Sequence, residues 1–209
     1  MPTPDDIVAH LANKIIVNTK LFKVPHFINR VAYKYFRDSK AKRSYDHACL
    51  LLAKHIGTPK PLAYFEYFTS SGIEQSYYFS EQLSYDFTFR DLRSQSEYPD
   101  RDEVLRQFTR FTFSLHENDI FFKDHSAGNT LIVNNGGSYS FYLIDLNRMD
   151  FFKMDLDARM KNFAKLTEDV ETVKIMSEEY AKLIGQPPEL LFDKMWSEIR
   201  QFRSKYERR

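Results

Sequence analysis

A chain of 209 residues, 43% hydrophobic and 28% charged, is long enough to bury a core, as one compact domain or as two lobes. Its formal net charge of +1 gives no global case for nucleic-acid binding, so any basic surface must be local. No stretch reaches the ~18 consecutive apolar residues of a spanning helix, the first residues carry no secretory pattern, and the single cysteine excludes an intrachain disulfide.

Those features read as a cytoplasmic protein. Cys49 lies in the apolar run Ala48-Cys49-Leu50-Leu51-Leu52 and is expected in the core. Aromatic residues make up 16% of the chain, which points to a well-filled interior before it points to a stacking surface.

In chain order, residues 15–22 are rich in β-branched and apolar side chains and predict a strand, stopped by Pro25. Val31, Ala32, Tyr35 and Phe36 have helical spacing within residues 29–37. A second helix is expected over 40–55, with Ala48, Leu51 and Leu52 on its buried face and Gly57 beyond its end. The rigid turn Thr58-Pro59-Lys60-Pro61 leads to two strands, 62–68 and 75–81, joined by Ser70-Ser71-Gly72.

The character changes near residue 83. A helix over 100–117 puts Val104, Leu105, Phe108, Phe111, Thr112 and Leu115 at core spacing. Apolar runs at 119–122, 130–133 and 141–144 follow, and Asn134-Asn135-Gly136-Gly137 is a strong hairpin turn. Helices over 168–183 and 188–206 close the chain. A strand–helix–strand front and a mainly helical back predict an α+β architecture, with residues 1–82 as an N-terminal lobe and 83–209 as a C-terminal lobe.

The chemistry concentrates between the runs. Asp124, Asn129 five residues later, and Asp145 at the end of an apolar strand can together hold a substrate hydroxyl and a hard cation. Asp and Asn are also ordinary turn residues, and that structural reading stands beside the catalytic one. Asp124 is the candidate base, and Asn129 and Asp145 are the candidate magnesium ligands.

Phosphoryl transfer further needs a cation on the nucleotide phosphates. Lys20 is the choice, on the strand face shared with Phe22, with Lys14 and Lys23 as rivals. Asp46 is the nearest helix carboxylate to orient it, with a solvated helix position as the equal alternative. Residues 29–43 carry six cations and one acid, which suits an anionic membrane surface, an anionic substrate or plain solvent. The histidines, His116 and His125 included, form no zinc set, and there is no nucleophile elbow, CxxC, GxGxxG or phosphate loop of the Walker kind.

The segments Phe122-Lys123-Asp124-His125-Ser126-Ala127-Gly128-Asn129-Thr130-Leu131-Ile132 and Tyr142-Leu143-Ile144-Asp145-Leu146-Asn147-Arg148-Met149 resemble the lipopolysaccharide kinase family, the Kdo and heptose kinases. The likeness extends over roughly residues 15 to 165. It implies a protein-kinase-like, two-lobed fold and ATP- and Mg2+-dependent phosphorylation of a sugar or glycolipid acceptor of the lipopolysaccharide inner core. It also implies a place at the cytoplasmic face of the inner membrane, touched through residues 29–43.

By that resemblance Asp124 is the base, Asn129 and Asp145 bind magnesium, Lys20 meets the ATP phosphates, and Glu81 belongs to the hinge Ser80-Glu81-Gln82 beside the adenine. Phe122 replaces a frequent histidine, and Leu146-Asn147 replaces Phe-Gly. With nineteen residues before Lys20, an abbreviated N-terminal lobe is expected. A kinase of the same fold for another acceptor, and a pseudokinase that binds nucleotide without turnover, are the competing readings.

Overall fold

The computed structural model describes residues 9–10, 15–23, 38–69, 72–94 and 98–207. The helix expected over 29–37, the tip of the Ser70-Ser71-Gly72 turn and the rival Lys14 lie outside the described residues. Helices and antiparallel sheets are mixed in an α+β arrangement. The chain forms two compact units: Met1–Ser84 with Asp145–Arg148, and Tyr85–Ile144 with Met149–Arg209. No local sequence signal marks residues 145–148 as companions of the first unit.

In the first unit, four strands form an antiparallel sheet in the order β1-β2-β4-β3: β1 (Ala9–His10), β2 (Ile16–Lys23), β3 (Pro61–Thr69) and β4 (Gly72–Glu81). The strand expected over 15–22 is thus present, and its register sets Lys20 opposite Tyr78 and Phe22 opposite Ser76. Two residues apart on one strand, Lys20 and Phe22 share a face. The Lys20 ammonium lies 5.3 Å from the Phe22 ring centre.

Helix α1 (Lys40–Ala53) lies against β3 and β4, with the rings of Tyr45 and Tyr64 5.5 Å apart. Its buried stripe is Ala41, Ser44, Ala48 and Leu51, the first three small enough to bring the helix close to the sheet. Ser39 caps its N-terminus by accepting a 2.9 Å hydrogen bond from the Lys42 N–H. Beyond the last turn, His55 takes a left-handed conformation (φ 58°) and the Ile56 N–H reaches back to the Leu51 carbonyl.

Two expectations on this helix fail. Cys49 is exposed, and Leu52 is 39% exposed. Each helical residue turns ~100° from the last, so an uninterrupted apolar run cannot all face the sheet. Cys49 stands one step past buried Ala48, and Leu52 one step past buried Leu51. Ser39→Ala will lower stability by about 1 kcal/mol in urea unfolding, because it removes the cap acceptor, whereas Ser39→Asp will stay near the parent. An unchanged alanine variant would show that the cap contributes nothing.

In the second unit, α2 (Phe89–Ser94), α3 (Arg101–Glu117), α4 (Leu156–Asn162), α5 (Val170–Ile184) and α6 (Pro188–Glu207) accompany two small sheets. One runs β5-β7-β8 (Phe87–Thr88, Thr130–Asn134, Tyr139–Leu143), and the other pairs β6 (Ile120–Phe122) with β9 (Met149–Phe151). Helix α3 buries Val104, Leu105, Phe108, Thr112 and Leu115, as its periodicity predicts, with Phe111 packed partly buried against the core.

The β7–β8 hairpin turns where expected. Gly136 and Gly137 have φ of 73° and 93°, and both donate their N–H to Asn134 Oδ1. Gly185 (φ 65°) ends α5 in the same left-handed region.

Candidate active site

The loop between β6 and β7 is built from the core outward. His125, next to Asp124, is 1% exposed and stacks on Phe108 with ring centres 5.5 Å apart and planes 12° from parallel. It also shares a 3.3 Å hydrogen bond with Thr112. Phe122, where a histidine is frequent, is fully buried. Anchored by both rings, the loop displays Asp124 from a fixed base.

Three successive carbonyls at the loop's start each accept a side-chain donor. Asn162 Nδ2 donates to the Phe122 carbonyl at 2.8 Å, Lys165 Nζ to that of Lys123 at 2.5 Å, and Asn129 Nδ2 to that of Asp124 at 2.8 Å. The last bond commits the amide of Asn129 to the backbone and leaves its Oδ1 as the acceptor end. Asn129 also donates its N–H to the Ser126 carbonyl and accepts from the Ile144 N–H. The two predicted site residues of this unit, Asp124 and Asn129, are therefore joined by a direct hydrogen bond. Gly128 lets the Arg90 guanidinium cross the loop, since a Cβ there would come 2.5 Å from its Nη2.

In the first unit, Lys20 Nζ pairs with Asp145 Oδ1 at 2.7 Å, and Asn147 Nδ2 donates to the same oxygen at 2.7 Å. Asp145 holds φ at 61°, a left-handed conformation that Asp and Asn tolerate better than most side chains. Leu146 beside it is buried, and its carbonyl accepts a 2.6 Å hydrogen bond from His47 Nδ1 on α1. Lys20 is thus brought to a predicted metal ligand, while Lys23 sits exposed at the end of its strand.

Asp46 does not orient Lys20. Its carboxylate takes Lys42 at 2.8 Å, one turn back on its own helix, and Asp38 takes the same ammonium at 3.1 Å. An (i, i+4) partner within reach outcompetes a strand lysine. The two carboxylates raise the Lys42 pKa well above its ordinary value, the Asp46 hydrogen bond first, against some desolvation. This cation of the basic run is therefore neutralised locally.

Glu81 ends β4 and pairs through Oε1 with Lys60 at 3.1 Å, while its N–H bonds the Lys60 carbonyl. Beside it, Gln82 is fixed to β2, by its N–H to the Ile16 carbonyl and by its Oε1 to Asn18.

Lys165 is the residue that sequence reasoning missed. Its ammonium stands 3.3 Å from Asp124 Oδ1. No motif leads to it across forty positions of chain; the two segments meet through tertiary contacts, among them the bridge between Ser126 and Lys165 and the Asn162 bond to the Phe122 carbonyl. Among the described residues, no cluster of three His, Cys, Asp or Glu could hold a metal, and no helix is long and apolar enough to cross a membrane. Asn129 in one unit and Asp145 in the other each carry hard oxygen donors, of the kind that suits magnesium better than zinc.

Among the solved structures similar to this chain, one matches over most of its length. It is described as WaaP in complex with acyl carrier protein, and it covers 95% of this chain and 82% of its own, with a TM-score of 0.62 and 14% identity. This chain is similar in fold to WaaP. No protein-family model and no curated protein matches the sequence. At that identity the likeness to WaaP is one of fold, and it agrees with the fold expected from the loop and strand motifs.

Two buried histidines add a pH dependence. Burial pushes the pKa of both His116 and His125 down to about 3. The tautomer of His116 is set by its neighbours: Asn162 Nδ2 is committed to the Phe122 carbonyl, so His116 Nε2 donates to Asn162 Oδ1, and Tyr180 donates its hydroxyl to Nδ1.

An unfolded histidine titrates near 6.5, so below that pH the unfolded chain gains protons that the folded chain refuses. Stability is full above about pH 6.5 and falls as pH drops toward 3, by up to about 1.4 kcal/mol per pH unit for each histidine. Urea midpoints will fall between pH 7 and pH 5, and less steeply in His125→Leu. Equal slopes in parent and variant would contradict the buried neutral state of His125.

Proposed function

We propose that this chain is an ATP-dependent phosphotransferase of protein-kinase-like, two-lobed fold that phosphorylates a sugar hydroxyl, of the Kdo or heptose type found in the lipopolysaccharide inner core. The observation that carries this reading is the 2.7 Å pair of strand Lys20 with Asp145, whose backbone is left-handed and whose position closes an apolar strand. A non-glycine residue held at positive φ costs ~1–2 kcal/mol and persists where the surroundings demand it. The sequence resemblance to lipopolysaccharide kinases and the fold likeness to WaaP support the same assignment.

The chemistry divides among the residues as follows. Lys20 contacts the ATP phosphates, and Glu81 with its hinge neighbours lies beside the adenine. Asn129 and Asp145 are the oxygens that would hold Mg2+, which when bound neutralises charge on the phosphates. Asp124 accepts a hydrogen bond from the acceptor hydroxyl and orients it. The hydroxyl oxygen bonds to the γ-phosphorus as the bond from that phosphorus to the β–γ bridging oxygen breaks. ADP departs, and the hydroxyl proton passes to the Asp124 carboxylate and on to solvent. Residues 29–43 would bring the protein to the anionic inner face of the membrane where a glycolipid acceptor lies.

A second reading, nucleotide binding without turnover, draws on one observation: residues 1–56, which include strand residue Lys20, contain no glycine. A thermal shift with ATP plus magnesium separates the outcomes. A raised midpoint followed by label transfer to an inner-core sugar supports the kinase, a raised midpoint with no transfer to any acceptor supports the second reading, and no shift at all contradicts both.

A further inference from the structure

We propose that Lys165 is a positioning residue for Asp124 in this phosphoryl transfer, an inference that rests on the function proposed above. Two of its three N–H donors are committed to the loop, one to the Lys123 carbonyl at 2.5 Å and one to Asp124 Oδ1 at 3.3 Å. The Phe202 ring lies 5.9 Å from the ammonium, and the Ser126–Lys165 bridge fixes where the lysine backbone runs. The side chains of Lys165 and Asp124 are 32% and 21% exposed, so the pair is partly shielded and still open to a substrate.

The chemistry explains why a cation belongs there. Asp124 has to present its carboxylate to a hydroxyl that is itself approaching a phosphoryl group with negative oxygens. A bare carboxylate repels that group and can rotate about its own side-chain bonds. Lys165 answers both difficulties, because its charge offsets that of the carboxylate and its second bond ties the pair to the backbone. The geometric part matters as much as the charge, since a small misplacement of an orienting group is enough to slow a transfer severely. Lys165 acts through Asp124 and needs no contact with substrate.

Five proteins test it in single-turnover and steady-state transfer from γ-labelled ATP: parent, Lys165→Met, Lys165→Arg, Asp124→Asn and the double variant Asp124→Asn/Lys165→Met. Methionine keeps the length of the stem and removes the charge. Lys165→Met should lower the transfer rate by about 100-fold while KM for ATP changes by less than about threefold. Lys165→Arg should recover at least about tenfold of that loss, and its recovery shows that the effect is one of charge placement and not of a collapsed loop.

In the Asp124→Asn background, adding Lys165→Met should cost less than about threefold, because the group it positions is already disabled. An equal loss in both backgrounds would overturn the proposal, as would an undiminished rate in Lys165→Met. Transfer that persists unaffected in Lys165→Met sinks this inference alone. Absence of transfer by the parent protein sinks the kinase reading and this inference with it.

Discussion

Asp124→Asn will lower the rate of phosphoryl transfer by about 10²–10⁴-fold while leaving ATP binding close to that of the parent. The substitution keeps the side chain's shape, so Lys165 can still donate to an Oδ1, and the carbonyl of residue 124 still accepts from Asn129. Only the negative charge and its proton affinity are lost. An interaction made in the transition state alone reduces turnover without changing ground-state binding, and kcat should therefore fall while KM for ATP holds. Parallel changes in both would assign Asp124 to binding instead. The loop itself should remain folded, because His125 and Phe122 anchor it from the core.

The second large effect concerns Asp145. Parent protein saturated with ATP and magnesium, at about a hundred times the dissociation constant, gains about 2.7 kcal/mol, which corresponds to a rise of roughly 5–10 °C in Tm for a chain of this length. Asp145→Asn should abolish most of that rise. Asparagine tolerates the left-handed conformation (φ 61°) nearly as well as aspartate does, so the backbone stays in place. What disappears is the charge that pairs with Lys20 at 2.7 Å and that would hold the cation. With no ligand present, the variant's own Tm should lie close to the parent's, since a pair as exposed as this contributes little to folding. A full thermal shift retained in Asp145→Asn would remove Asp145 from the nucleotide site.

Legibility in the sequence followed how local each feature is. The strand with Lys20, the helix over Arg101–Glu117 and the Gly136-Gly137 turn could be read because alternation, helical spacing and tolerance of positive φ are properties of a few consecutive residues. The five-residue spacing of Asp124 and Asn129 is spanned by a single hydrogen bond, from Asn129 Nδ2 to the Asp124 carbonyl.

The failures also have physical causes. Cys49 and Leu52 were expected inside because they stand in an apolar run, but a helix against a sheet buries only one stripe. Asp46 was matched to Lys20 across unknown geometry, whereas Lys42 lay one turn away. Lys165 and Asn162 reach the loop from forty residues downstream, through a tertiary approach that no window of sequence records. His47 holds the Leu146 carbonyl in the same way.

The function proposed for this chain is transfer of the γ-phosphoryl group of ATP to a sugar hydroxyl, and the likeness to WaaP supports the fold that it requires. The most direct measurement incubates the protein with γ-labelled ATP, magnesium and inner-core lipopolysaccharide, and follows the label into the glycolipid, with Asp124→Asn alongside. The account predicts label in the glycolipid with the parent protein and at least about a hundredfold less with the variant. No label above background, or equal label from both proteins, would contradict it.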